Sequence, residues 1–398
     1  MMLRTYKYRL EPNKEQKEKL EATLDTCRHL CNNALGRRKL QAELYRLPIT
    51  KQWITVENQI NALPKQKQDN EYLSNVHSQI LQDVLRRVNK SFTNFFRRVK
   101  NHEQPGYPRF KGSNRYNSFT YPQTGFKIVG KKLELSHVGK VNIKIHRSLT
   151  GKLKTCTIKR DIDVWYACFS VKIDDSLPEK KVIKSAVGID VGINPLVALS
   201  NKEKTKPPKF LQQSEHKLAK EQRKLSRKQK ESHNRNRQRI KVAKVHRRIK
   251  QQRMDFHHKL SRELVVQYDF ITFENLKIKN MIRNHHLSKS ISDVSWNMLQ
   301  SFTAYKAEWA GKVVTFVDPK NTSQECSSCG KIVKKNLSIK VHNCPYCGLV
   351  LNRHVNAAIN ILKRVLIKVG LGYTDLMPVR GLAQDTPMTQ EAHDFSRG

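Results

Sequence analysis

The chain has 398 residues, with 76 Lys and Arg against 34 Asp and Glu, for a formal charge of +42. A compact protein so charged repels itself unless a polyanion is present, so the composition points to nucleic acid. No apolar run reaches the ~18 residues of a membrane span, and no basic amphipathic anchor or acylation signal appears, which argues against a membrane partner.

The opening MMLRTYKYRLEPNK lacks the apolar centre of a secretory signal. It predicts a cytoplasmic, nucleoid-associated protein whose eight cysteines are thiols or metal ligands rather than disulfides.

Along the chain, KYRLEP reads as a short extended segment and Pro12 as the start of a helix. Leu20, Leu24, Cys27, Cys31 and Leu35 follow helical spacing, which makes both cysteines core residues. A second helix is expected near 78–100. Ile80, Leu81, Val84, Leu85, Val88, Phe92, Phe95 and Val99 form its apolar stripe, and Arg86, Arg87, Lys90, Arg97, Arg98 and Lys100 make the opposite face basic, a candidate phosphate-facing surface.

Gly106–Phe110 breaks the pattern, and alternation at 141–146 and 165–173 predicts half-buried strands that hold Cys168 in packing positions, like Cys156. From about 183 the pattern becomes α/β. VIKSAVGIDVGINPLVALSN reads as strand, glycine turn, strand. Residues 217–253 hold sixteen Lys or Arg and two acids, Glu221 and Glu231, with a break expected at Ser232–Asn236. Arg223, Arg227, Arg239, Arg247 and Arg248 make this segment a second candidate phosphate surface, an ordered hairpin rather than a solvated run. YDFITFENLKI and VVTFVDP read as strands on either side of a helix near 293–309, and a last helix begins around Val355.

Two constellations carry chemistry. Cys326-x2-Cys329 and Cys344-x2-Cys347, fourteen residues apart, are two thiolate pairs, as tetrahedral zinc requires. With all four positions filled by protein the zinc is structural, and it should hold a segment too short to bury a core. The second constellation is acidic: Asp190 in GIDVG and Glu274 in FENL stand in buried strands, where a charge is costly without a compensating ion.

The order of GIDVGI, the basic hairpin, FENLKIKNM, TSQECSSCG, CPYCG and NRHVNAAINIL resembles the RuvC-like half of TnpB proteins, relatives of the type V CRISPR effectors. YKYRLEPNKEQ, YPRFKGSNRYNSFTYP and the Trp165-Tyr166 strand are similar to the wedge domain of that family. The resemblance implies an α/β multidomain chain: an RNase H-like RuvC domain with a zinc-ribbon insertion, an N-terminal β-barrel wedge domain and a helical recognition lobe. It places the wedge at 1–10 and 103–180, the helical lobe at 11–102, the RuvC-like domain at 181–322 and 351–370, the ribbon at 323–350 and a disordered tail at 371–398. It further implies a guide RNA, a double-stranded DNA target and one chain per guide. By loose similarity, Ser78, Gln79, Gln82, Thr120 and Tyr121 are candidate readers of a short flanking DNA motif, since amides suit adenine edges.

One position departs from the family pattern. The last motif reads Asp-x-Asn-Ala-Ala in the family and His354-Val355-Asn356-Ala357-Ala358 here, with Asn352 two residues before. Magnesium prefers oxygen ligands, whereas imidazole suits softer ions. The expectation is therefore a catalytic trio of Asp190, Glu274 and a degenerate His354, with Mg²⁺ weak or absent. It describes a protein that binds guided DNA without cutting it and represses transcription, similar to TldR proteins. An active RNA-guided nuclease and a guide-independent nucleic-acid-binding protein are the competing expectations.

Overall fold

The computed structural model describes residues 2–45, 53–173, 182–336 and 339–368, and the chain divides into two units, Met1–Ser176 and Leu177–Gly398. The tail expected at 371–398 lies outside the described residues.

The first unit opens with strand β1 (Met2–Glu11) and helix α1 (Lys14–Leu44). Helix α1 starts after Asn13 rather than at Pro12: the Asn13 side chain accepts from the Gln16 amide and the Gln16 side chain accepts from the Asn13 amide, a reciprocal cap. Short helices α2 (Val56–Asn61), α3 (Leu63–Gln68) and α4 (Glu71–Ser74) lead to α5 (Ser78–Lys100). Strands β2 (Ser118–Tyr121), β3 (Phe126–Val129), β4 (Lys132–Leu135), β5 (Gly139–Lys144), β6 (Lys152–Asp161) and β7 (Val164–Ile173) follow.

These strands join β1 in an antiparallel sheet of order β2-β6-β7-β1-β5-β4-β3. The N-terminal strand is thus the middle of the sheet. Among the described residues β2 and β3 stay at the two edges, so hydrogen bonds form a seven-stranded sheet and do not close the expected barrel. Leu20, Leu24 and Cys27 of α1 and Ile80, Leu81 and Leu85 of α5 share one core with Tyr8, Phe119, Leu133 and Phe169 of the sheet. Helices and sheet are therefore one folded body, because each supplies the apolar face the other needs. Burial pushes the Cys27 thiol up to about 12 and Cys156 well above its usual value, which leaves both inert packing residues.

The second unit begins with β8 (Ala186–Val191), β9 (Val197–Leu199) and β10 (Lys204–Thr205), then helices α6 (Phe210–Ser226) and α7 (His233–Gln267). Next come β11 (Phe270–Glu274), α8 (Ile278–Met281), α9 (His285–Val294), α10 (Trp296–Trp309) and β12 (Val313–Val317). A two-stranded ribbon, β13 (Val341–Asn343) and β14 (Val350–Asn352), precedes the last helix, α11 (Arg353–Lys368).

The main sheet has order β10-β9-β8-β11-β12, with β8, β11 and β12 parallel and β9 antiparallel to β8. Every residue of β8 and β11 is buried, as central parallel strands require. The basic segment is a helical hairpin closed on Leu218, Val245 and Ile249. Its turn falls at 227–232, with Ser232 capping α7. Helix α7 runs on to Gln267, past the basic segment's end at 253, because its last turns bury Leu260, Leu264 and Val265 in the core. The helix expected near 293–309 breaks at Ser295, whose φ is 50°.

One contact sets the position of α11. A Cβ on Gly188 in β8 would lie 2.1 Å from the Ala358 carbonyl oxygen and 2.8 Å from the Leu362 nitrogen. Only a glycine lets the helix backbone come so near the strand. Replacing Gly188 with Ala should destabilise the second unit by about 3 kcal/mol or more, the upper range for overpacking. Chemical denaturation against the parent chain measures it.

Candidate functional site

Asp190 is the last residue but one of β8 and Glu274 ends β11. The last registered pair between these strands is Ile189 with Phe273, so the two acids are the next residues along neighbouring parallel strands, on backbones about 4.8 Å apart. Both side chains are buried, at 8% and 6% exposure. Burial raises the Asp190 carboxyl, opposed by its hydrogen bond to His354. Glu274 is pushed up to about 7, first by burial and then by the charge of Asp190.

Neighbours fix both strand ends. The Trp296 indole donates to the Gly192 carbonyl at 2.9 Å, the Gln300 amide donates to the Glu274 carbonyl at 3.2 Å, and the Thr322 hydroxyl donates to the Glu274 carboxylate.

His354 lies in the first turn of α11, brought there by the approach at Gly188, and its Nδ1 is 2.6 Å from Asp190 Oδ2. Gly192 leaves room for the ring, since a Cβ there would lie 3.2 Å from His354 Cε1. Asn352 does not stand ready as a substitute ligand. Its amide oxygen accepts from the His354 backbone N–H at 3.1 Å and caps the helix.

Two buried carboxylates on neighbouring strands fit a divalent cation, which would offset both the burial and the Asp190 charge that raise Glu274. Three-ligand closure is another matter. Among the described residues the four cysteines are the one group of three or more His, Cys, Asp or Glu whose ligand atoms converge within 4.8 Å. His354 rests on Asp190 rather than completing a third vertex.

The cysteines fit zinc. Cys326 Sγ is 3.6 Å from Cys347 Sγ, and Cys329 Sγ is 3.6 Å from Cys344 Sγ. Tetrahedral Zn–S bonds require roughly 3.8 Å between sulfurs. The two knuckles are alike: Gly330 N–H donates to the Cys326 carbonyl at 3.0 Å and Gly348 N–H to the Cys344 carbonyl at 2.9 Å, each glycine at positive φ near 70°. The Leu349 N–H is the main cause that brings the Cys347 thiol down to about 7.

The ribbon is sewn to α11. Asn356 accepts from Ser327 N at 2.9 Å and donates to the Glu325 carbonyl at 2.7 Å, and Asn360 donates to the Thr322 and Glu325 carbonyls. The asparagines of the NAAIN motif are therefore structural ties, and its buried Ala357 and Ala358 let the helix lie close. Sequence reasoning quoted TSQEC and NAAIN without seeing that Thr322 holds Glu274 or that Asn356 and Asn360 hold the ribbon.

The basic candidates divide. Arg86, Lys90, Arg97 and Arg98 on α5 and Arg223, Arg227, Arg239 and Arg248 on the hairpin are exposed, and Arg247 is half-buried. Arg87 turns inward, 2.7 Å from Asp83 and 2.8 Å from the Ser118 carbonyl. Among the candidate motif readers, Ser78 accepts from Lys67 at 3.1 Å and Gln79 accepts from the Thr124 N–H at 3.0 Å, while Gln82 is half-buried. Thr120 lies between Arg87 and Thr157. Tyr121 is 1% exposed and donates to the Ser136 carbonyl at 3.1 Å, so its ring is a core element and not a presented edge.

The sequence matches three family profiles. Residues 168–285 match the OrfB group of IS605 elements, described as "Probable transposase". Residues 296–361 match the Cas12f1-like TNB domain. Residues 1–44 match a helix-turn-helix domain of the OrfB group, although here they form one strand and one long helix. The chain is 34% identical over 374 residues to a Streptomyces pristinaespiralis protein named "Putative RNA-guided DNA endonuclease", covering 90% of this chain and 88% of that one. It is 30% identical over 380 residues to InsQ of Escherichia coli K12, given the same description, covering 90% and 92%. Among solved structures it is similar to the mini-RNA-guided endonuclease CRISPR-Cas_phi3, with a TM-score of 0.48, 10% identity and 92% of each chain covered.

The chain belongs to the TnpB/IS605 family and carries a Cas12f1-like TNB domain, which contains all four clustered cysteines. The expectation of a protein that is not an enzyme is thereby corrected. Relatives that span nine tenths of the chain are named DNA endonucleases. The expectation rested on one ligand position, whereas both remaining acids keep their buried, braced places. No described helix is long and apolar enough to cross a membrane.

Two outcomes are expected. Stripping metal with a strong chelator, or Cys344→Ser, should remove one zinc per chain by elemental analysis and expose 323–352 to protease, since metal binding holds such a ribbon folded. With the ribbon intact and no divalent cation added, Glu274 is pushed up to about 7 from 4.5, first by burial and then by Asp190. Its contribution is complete below the unfolded value and lost as pH rises through the folded one. Melting temperature should therefore fall between pH 4.5 and 7 more steeply than in Glu274→Gln, as thermal melts across that range would record.

Proposed function

We propose that this chain is an RNA-guided DNA endonuclease of the TnpB type, with one guide RNA per chain and a double-stranded DNA target. The observation that carries the reading is the pair of buried acids, Asp190 and Glu274, at adjacent strand ends within a family whose long relatives are named for this activity. The exposed arginines of α5 and of the α6–α7 hairpin supply phosphate contacts. Sequence choice then comes from base pairing with the guide, and the protein contributes backbone recognition and a flanking-motif contact. Ser78, Gln79, Gln82 and Thr120 remain the candidates for that contact.

Asp190 and Glu274 would hold a divalent cation. Such an ion polarises the phosphodiester and lowers the pKa of its bound water. His354 orients the Asp190 carboxylate through the 2.6 Å hydrogen bond and offers nitrogen where relatives of the family pattern offer oxygen. With the imidazole engaged on Asp190, two carboxylates remain for the ion, which weakens magnesium, an ion that demands oxygen ligands in near-ideal octahedral geometry, more than the less exacting manganese or cobalt.

The test is cleavage of guide-matched duplex by the purified ribonucleoprotein in Mg²⁺ and in Mn²⁺. Cutting faster in Mn²⁺ is expected, Asp190→Ala should abolish it, and His354→Asp should raise the Mg²⁺-supported rate at least tenfold. No cutting with any divalent ion would overturn the reading. A heterogeneous pool of co-purifying RNA, read by sequencing, would favour guide-independent nucleic-acid binding instead.

A further inference from the structure

Five aromatic rings gather where the end of α5 meets the loop after it. Tyr107 packs edge-on against Phe95 at 5.2 Å and Phe92 at 5.8 Å, and Phe95 packs edge-on against Phe96 at 5.2 Å. Lys39 of α1 lies 5.4 Å from the Tyr107 ring and 4.6 Å from the Phe110 ring. The loop is clamped to α1 by a two-way bond: Asn32 donates to the Lys111 carbonyl at 2.9 Å and accepts from the Lys111 N–H at 2.8 Å.

This cluster is not a core. Phe96 is 61% exposed, Phe110 52% and Tyr107 42%. Contiguous exposed rings on an ordered, clamped loop mark a binding surface. The surrounding side chains Arg97, Arg98, Arg109 and Lys111 are exposed cations. Glu103, paired with Arg98 at 3.9 Å, answers one of them. Rings set among cations suit a polyanion whose units carry flat faces, that is, nucleobases on a phosphate chain.

We propose that Phe96, Tyr107 and Phe110 form a stacking platform for unpaired bases of RNA. The rings stand open to solvent and can take only bases already free of a helix. Folded RNA presents such bases in loops and bulges without assistance. Duplex DNA keeps its bases stacked on one another and offers them only after strand separation. The inference does not depend on the endonuclease reading, because its readout is binding and not cleavage.

The test uses the full-length chain freed of RNA and labelled 12-mers: single-stranded oligoadenosine RNA, the same sequence in DNA, and an RNA duplex. Phe96→Ala with Phe110→Ala should weaken single-stranded RNA by about tenfold or more, the scale of losing a stacked base. It should leave the duplex and the salt slope unchanged, since no phosphate contact is removed. Phe96→Trp with Phe110→Trp should retain binding. In the unmodified chain, photocrosslinking to 4-thiouridine RNA should label peptides within 92–110, which holds even where the double variant folds poorly. An equal loss on duplex RNA, a loss confined to the DNA strand, or crosslinks only elsewhere would overturn the proposal.

Discussion

The close approach of α11 to β8 governs the second unit. Gly188 admits the helix backbone to within van der Waals range of the strand, and Ala357 and Ala358 remove bulk from the facing side. That approach delivers His354 to Asp190 and places Asn356 and Asn360 beneath the zinc ribbon. A single glycine-to-helix contact thus brings together residues as far apart as Asp190 and His354, 164 positions along the chain.

Around that contact the unit manages the cost of burying charge. Glu274 is raised first by burial and then by the charge of Asp190, in a place water barely reaches. The fold answers locally with hydrogen bonds from His354 and Thr322 and leaves the remaining imbalance for a cation. The zinc ribbon takes part, because Thr322 sits just before its first cysteine and is itself held by Asn360. The ribbon and the acid pair are therefore tied through one chain of hydrogen bonds, from Asn360 through Thr322 to Glu274.

The first unit follows another logic. Its sheet and long helices are a single core, so α5 has one face committed to Phe119, Tyr121 and Leu20 and only the other free for partners. Arg87 and Tyr121 fall on the committed side, Arg86, Lys90, Arg97 and Arg98 on the free one. Helical periodicity separates apolar from basic residues, but it does not say which cation at the border turns inward toward the half-buried Asp83.

Much was legible in the chain itself. Period-2 alternation placed β5 and β7, helical spacing placed α5 at its observed bounds, and the cysteine spacing specified the zinc cluster, because these are local consequences of backbone geometry and ligand number. The charge of +42 pointed to nucleic acid, and the ordered motifs pointed to the family. Tertiary structure decided what depends on distant neighbours. Among the described residues it made β1 the centre of a sheet with β2 and β3 left at its edges, fused the expected helical lobe with the wedge strands, carried α7 on to Gln267 and set Asn352 as the cap of α11. A sequence records which donors and apolar faces exist. Which of them meet depends on packing between residues far apart in the chain, and no local pattern encodes that.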